Sequence, residues 1–340
     1  MSETGHQWVN EIREEDKVKG LYLVKTKKMG TTKRGDPFLM LTLADRTGDI
    51  ETRVWDRAEA FASLFNEGDI VDVEGKADSY RNQVQIVLSD IKAAEDFDPF
   101  MFREDSLKSV SEMVAGLKKI LRKIENRHLK SLVDRFFADH QFMEDFRKAP
   151  AAKNFHHAYH GGLIEHTLAV CEMAHAVAKQ YPELDGDILL AGAFLHDIGK
   201  IKEFKGDLNI EYTDEGRLIG HLVMGVSMLE EKMQTMKGFP EDLALRLKHL
   251  ILSHHGQFDF GSPKRPKFLE ALALNLVDDL DAKIKGIGNF LEKDQKEGSW
   301  TDYNRMFERY FFKRTIENSE KPEDMKPAED ERQEKLFKIS

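Results

Sequence analysis

The 340-residue chain is longer than one typical domain and carries a formal net charge of −10, so two or more domains are expected. Hydrophobic residues at 41% suffice for a buried core, whereas 33% charged residues, a mean hydropathy of −0.52 and the lack of any apolar run of about 18 residues argue against a membrane span. The opening MSETGHQWVNEIREED has no charged-then-apolar export pattern, and the single Cys171 cannot form an internal disulfide, so a soluble protein of the reducing cytoplasm is expected.

Residues 1–15 read as an N-terminal extension. From 16 to 95, short alternating runs separated by Gly and Asp predict strands over Gly20–Lys25, Phe38–Ala44, Ile50–Trp55, Ile70–Ala77 and Gln83–Ser89, with a short helix, Arg57–Phe65, after the third. That is the element order of an OB-fold, a small Greek-key β-barrel. Beyond Asp98-Pro99 the period becomes helical, through Leu107–Asn126 and Leu129–Lys148 in a helical linker, 96–150. An all-α domain over 151–315 follows. The last stretch, 316–340, is a charged tail whose Glu, Lys and Pro content without apolar periodicity predicts disorder. The expected fold class is thus multidomain α and β: an N-terminal five-stranded barrel, then a helical bundle.

Within the barrel, Leu39, Leu41 and Leu43 share one face, which leaves Phe38, Met40 and Thr42 on the other. Ile50, Thr52 and Val54 likewise leave Glu51, Arg53 and Trp55 outside. From Lys17 to Gly35 every charged residue is basic: Lys17, Lys19, Lys25, Lys27, Lys28, Lys33 and Arg34. Outward aromatics (Phe38, Trp55) beside Arg53 and a basic first loop (Lys25, Lys27, Lys28, Lys33, Arg34) suit a single nucleic-acid strand, bases stacking on rings and phosphates tracking the cations. The competing structural use of Trp55 and Phe38 is packing under the helix or against the second domain.

The helical part carries His166 in GGLIEHTL, His196-Asp197 in FLHDIGK, His221 in RLIGHLVM, His254-His255 in LILSHHG and Asp278 in LNLVDDLDAK. Several interrupt stripes that belong in a core: Leu163 and Val170 flank His166 at helical offsets, as Leu274 and Ala282 flank Asp278. A lone carboxylate there is costly to bury unless it coordinates or pairs. Imidazoles mixed with carboxylates suit a divalent transition ion such as Mn, Fe, Co or Zn. One such ion makes a nucleophile of its water at neutral pH, and two clamp both oxygens of a displacement. Gly192 and Ala193, one turn before His196, leave room for close helix approach.

The order H, HD, H, HH, D across successive helical segments resembles the HD-domain phosphohydrolase superfamily. That resemblance implies that His166, His196, Asp197 and Asp278 hold one ion, and that in two-metal members Asp197 bridges to a second held by His221 and His254. Lys200 in HDIGK would face the substrate phosphate as a catalytic residue; otherwise it is a solvated helix-end lysine. His255 would stand behind the ligands or exchange roles with His254. FHHAYHGG adds His156, His157 and His160, either lining the pocket or capping the entry to the helix, with His160 ranked first.

The barrel followed by FHHAYHGGLIEHTL, GAFLHDIGK, GHLVMGVSMLEE, LSHHGQFDFGSPKRP and VDDLDAK resembles the YhaM family of bacterial 3′-5′ exoribonucleases over roughly residues 15–315. The resemblance implies Mn-type ions, hydrolysis of phosphodiesters at the 3′ end to nucleoside 5′-monophosphates, and a barrel that holds single-stranded RNA. DNA as substrate, one ion or two, the general acid, and the oligomeric state, a homo-oligomer included, stay open. So do two other functions. A small-nucleotide phosphohydrolase or cyclic-dinucleotide phosphodiesterase would use the same metals without needing the barrel, although GQFDFGSP after His255 lacks the GYP element of the cyclic-di-GMP group. A non-catalytic nucleic-acid-binding protein would have lost ligands, and every ligand position is kept.

Overall fold

The computed structural model describes residues 6–80, 83–98, 101–102, 109–153, 157, 159–206, 210–294, 296 and 298–313. Five strands, β1 (Lys17–Thr31), β2 (Pro37–Asp45), β3 (Gly48–Val54), β4 (Ile70–Tyr80) and β5 (Gln83–Ala93), close into a barrel in the order β1-β2-β3-β5-β4. The helix α1 (Ala58–Ala62) follows β3. β1 runs well past the expected strand at both ends because it serves two neighbours. Its first half pairs with β4 and its second with β2, across a register shift between Val24 and Thr26. Such an irregularity bends a strand, which a small barrel needs to close.

The alternation holds. Leu39, Leu41, Leu43, Ile50, Thr52 and Val54 are all buried inside the barrel. The N-terminal stretch is also part of it, since Val9 and Ile12 pack into the same apolar core. Val9 N donates to Asp45 Oδ2 at 2.7 Å, and the His6 ring lies 3.3 Å from the same oxygen.

The helical part consists of α2 (Val110–Leu121), α3 (Arg127–Ala138), α4 (His140–Lys148), α5 (Gly162–Gln180), α6 (Gly186–Leu195), α7 (Lys200–Glu203), α8 (Asp214–Leu218), α9 (His221–Gln234), α10 (Glu241–Ser253) and α11 (Leu269–Lys293). A two-stranded hairpin, β6 (Phe204–Lys205) with β7 (Glu211–Tyr212), interrupts the expected all-helical pattern. Leu129–Lys148, expected as one helix, breaks at Asp139. That residue takes an extended conformation, accepts a hydrogen bond from Phe142 N, and pairs with Lys232. A carboxylate that caps a new helix outcompetes continuation of the old one.

Helices α2 to α4 do more than link. Met113, Leu117, Phe136 and Phe146 join Phe194, Leu250 and Leu274 in one buried cluster, so these helices complete the core against which α5, α6, α10 and α11 are set. From Phe290 on, the described residues fall in a second unit; inside it Trp300 bridges Phe312, and Lys313 Nζ donates to Asp294 Oδ1 at 2.8 Å. The expected disordered tail, 316–340, lies outside the described residues. Among the described residues no helix is long and apolar enough to cross a membrane.

Candidate metal centre and nucleic-acid interface

Five helical segments deliver the candidate ligands to one point. His166 projects from α5 between buried Leu163 and Val170. His196 caps the C-terminus of α6, and Asp197 follows it. His221 opens α9, His254 caps α10, and Asp278 lies on α11. Two glycines make the convergence sterically possible. A Cβ at Gly199 would collide with the His221 carbonyl, and one at Gly192 would sit 2.6 Å from Leu250 Cδ1. The helix bearing His221 thus approaches the turn after His196-Asp197 at backbone distance, and the one ending at His254 packs a leucine onto α6 one turn before His196.

The imidazoles share one pattern: Nδ1 is bound from behind and Nε2 faces forward. His196 Nδ1 lies 2.9 Å from Ala193 O, His254 Nδ1 2.8 Å from Ile251 O, and His255 Nδ1 3.0 Å from Phe260 O. His166 Nδ1 is 2.7 Å from Asp281 Oδ2, and His221 Nδ1 2.9 Å from Glu203 Oε1. An acceptor behind Nδ1 places the proton there and leaves the Nε2 lone pair forward, the usual preparation of a histidine for an ion.

Those Nε2 atoms gather on the two oxygens of Asp197. Oδ2 is 3.3 Å from His196 Nε2 and 3.6 Å from His166 Nε2, with Asp278 Oδ1 3.1 Å from the latter. Oδ1 is 3.6 Å from His221 Nε2 and 3.5 Å from His254 Nε2. His255 Nε2 is 3.3 Å from His221 Nε2, so His254 and His255 both face the second cluster.

Electrostatics distinguish the halves. Burial pushes the His196 imidazolium down, but the Asp197 and Asp278 carboxylates outweigh it and raise its pKa to about 10. Burial disfavours charge on Asp197 too, yet Lys200 and His196 hold it well below the carboxylate range, and His166 and His196 do the same for Asp278. In the second cluster burial prevails: His254 is lowered, and His255 falls to about 3. A cation, proton or metal, is therefore strongly favoured beside Asp197 Oδ2, whereas burial disfavours the charged forms of His254 and His255 in the second cluster.

Behind the clusters lie further groups from the same motifs, of which only His157 was singled out from sequence. Asp281 Oδ2 also meets His157 Nε2 at 3.1 Å, and His157 Nδ1 meets the Tyr159 hydroxyl at 2.8 Å. Tyr159 donates to Glu165 Oε2 at 2.9 Å. His157 is fully buried and held at φ 48°, a left-handed conformation uncommon for histidine. His160, ranked first from sequence, is half-buried just before α5, and His156 lies outside the described residues. Lys200 is not a solvated lysine: it is 8% exposed, with Nζ 2.6 Å from Asp197 Oδ2.

On the barrel, Phe38 and Trp55 stack on each other, centroids 4.9 Å apart at 26°, and Trp55 stays 47% exposed. A Cβ at Gly30 would strike the Phe38 ring, so glycine lets that ring lie flat across β1. Met40 and Arg53 form the next pair on this face, and Arg53 Nη1 donates to Glu51 Oε2 at 3.0 Å. The basic residues divide. Lys25 pairs with Asp49 at 2.6 Å, Lys19 with Glu74 at 2.6 Å, and Lys27 Nζ donates to Ala62 O at 2.9 Å and Phe65 O at 2.5 Å. Lys28, Lys33 and Arg34 make no ion pair among the described residues.

Two family models match this chain: "HD domain" over residues 163–283 and "OB-fold nucleic acid binding domain" over 8–94. A Bacillus velezensis protein named 3′-5′ exoribonuclease YhaM is 34% identical over 88% of this chain and 96% of its own. Proteins of that name from Bacillus subtilis (34%, 86% and 94%) and Oceanobacillus iheyensis (34%, 88% and 95%) are similar throughout. By its closed barrel, its convergent histidine-aspartate cluster and this end-to-end similarity, the chain belongs to the YhaM family of 3′-5′ exoribonucleases.

Proposed function

We propose that this chain is a metal-dependent hydrolase that removes nucleoside 5′-monophosphates from the 3′ end of single-stranded RNA, with Mn as the working ion. One observation carries the metal assignment. Asp197 Oδ1 is buried with no hydrogen-bond partner, and it faces His221 Nε2 and His254 Nε2, whose Nδ1 atoms each meet an acceptor from behind, so that with the proton on Nδ1 both Nε2 atoms present lone pairs. Three acceptors facing one another repel unless a cation sits between them, so the residues present fit an ion.

His166, His196, Asp197 and Asp278 would hold one ion, and Asp197, His221, His254 and His255 a second. Bound there, such ions polarise the phosphoryl oxygens and supply a nucleophile at neutral pH. The chain's own groups do the rest. Asp281 and Glu203 hold the His166 and His221 rings in register from behind. Lys200 brings a buried positive charge to Asp197, from which it stabilises negative charge developing on the phosphoryl group. The His-rich donor set favours Mn, Fe, Co or Zn over Mg. Phe38, Trp55 and the unpaired Lys28, Lys33 and Arg34 support the barrel as the strand-holding surface.

The test is incubation of purified protein with 5′-labelled single-stranded RNA and DNA after chelation, with Mn or Mg restored. The expected result is a 3′-shortening RNA ladder with 5′-mononucleotide release in Mn. Cleavage at internal positions, or full activity in Mg after verified removal of transition ions, would overturn it.

A further inference from the structure

The loop that follows His255 is held rigidly yet keeps two phenylalanines in solvent. Its 3₁₀ turn, Phe258–Phe260, is tied to the metal cluster itself, because the Phe260 carbonyl accepts from His255 Nδ1 at 3.0 Å. At its far end Ser262 is 2% exposed, with Oγ 2.9 Å from Leu252 O. Gly256 lets the chain pass against the Asn275 side chain, which donates to His254 O at 2.6 Å. Nothing in such an anchored loop forces the aromatics outward, but Phe258 is 58% and Phe260 70% exposed.

Exposed aromatic surface on a fixed loop forgoes the stabilisation of burial, about 25 cal/mol per Å², and commonly marks a recognition surface. Its surroundings identify the chemistry of the partner. The Arg265 guanidinium lies over the Phe258 ring at 4.9 Å. Lys264, Arg265 and Lys267 follow within a few residues, between Asp259 and the buried Glu270, and make no ion pair among the described residues. Rings interleaved with unpaired cations suit bases joined by phosphates.

We propose that Phe258 and Phe260, with Arg265, form a base-stacking clamp at the metal centre that grips the last nucleotides of the strand while its terminal phosphodiester is presented. This rests on the exoribonuclease function above and adds a second nucleotide-binding element, separate from the barrel. One end of the strand would be stacked on the loop whose Phe260 carbonyl meets His255 Nδ1. The clamp is therefore indifferent to sequence but requires bases.

The full-length Phe258→Ala, Phe260→Ala and double variants test this, beside Phe260→Trp. Fluorescence anisotropy of a short labelled RNA under chelation gives binding, and cleavage of that RNA relative to bis-p-nitrophenyl phosphate, which has no base, gives a specificity ratio. Each alanine is expected to weaken RNA binding and lower the ratio by roughly 5- to 150-fold, the range for removal of one base stack. Phe260→Trp should keep both, and an oligomer abasic at its last positions should bind wild type and variants alike. Unchanged binding and ratio, equal losses on both substrates, or a change in oligomeric state by light scattering would each overturn the clamp. A wild-type protein that neither binds nor shortens RNA would instead overturn the exoribonuclease function.

Discussion

Asp281 Oδ2 lies 2.7 Å from Nδ1 of His166, on the side of the ring opposite Asp278. A carboxylate behind a metal-facing imidazole fixes its tautomer and raises its basicity, and loss of such a partner typically costs about 10- to 100-fold in metal affinity. Asp281→Asn is expected to weaken Mn binding by that factor in a chelator-competition titration. Asp279→Asn, on the exposed side of α11 where Asp279 pairs with Lys283 at 2.6 Å, should leave affinity unchanged. Equal effects of the two would remove Asp281 from its role.

Asp197→Ala is expected to lower RNA hydrolysis by more than the roughly 100-fold attached to groups one step behind a ligand, while RNA still binds through the barrel. Single-turnover assays and anisotropy on the folded variant measure the two separately. Near-wild-type turnover would contradict the assignment of both clusters.

The basic residues of the first hairpin should separate by function. Neutralising Lys28, Lys33 or Arg34 is expected to reduce the slope of log K against log salt by roughly 0.7 for each phosphate that the side chain had neutralised. Lys27→Ala removes the donor to the Ala62 carbonyl at the end of α1 and to the Phe65 carbonyl just beyond it, and should instead lower barrel stability by about 1 kcal/mol. Trp55→Ala should cost about 1–3 kcal/mol in RNA binding with the salt slope unchanged. Salt titrations and denaturant melts of the same variants decide each case.

Acid should loosen the barrel through Asp45. Burial alone would raise its carboxyl, but hydrogen bonds from His6, Thr47 and Val9 outweigh that and hold its pKa below the ordinary value. A group depressed in the folded state contributes stability above its unfolded pKa and loses it as pH falls through the folded one. Wild type should therefore lose barrel stability on acidification below the carboxylate range, and Asp45→Ala should be destabilised by about 1–3 kcal/mol at neutral pH with a flatter pH dependence. An unaltered pH profile in the variant would refute the linkage.

The sequence by itself determined what depends on spacing. Alternation at Leu39, Leu41 and Leu43, and at Ile50, Thr52 and Val54, set the inner barrel face, because a strand repeats every two residues and only one face meets the core. The histidine-aspartate motifs likewise carried the candidate ligands and the family. Asp281 was within reach of the same logic: it follows Asp278 by three residues and shares its helical face, while Asp279 does not.

Tertiary structure alone decided what depends on residues distant along the chain. Nothing local marks Glu203 as the partner of His221, or His157 rather than His160 as the partner of Asp281. The same holds for Lys27, whose positive segment predicts a phosphate contact but whose ammonium donates to the last carbonyl of a helix thirty-five residues later and to the Phe65 carbonyl after it. A hydrogen bond across the fold can satisfy a charged group as fully as solvent or ligand does, and local sequence does not reveal which acceptor the fold will bring within reach.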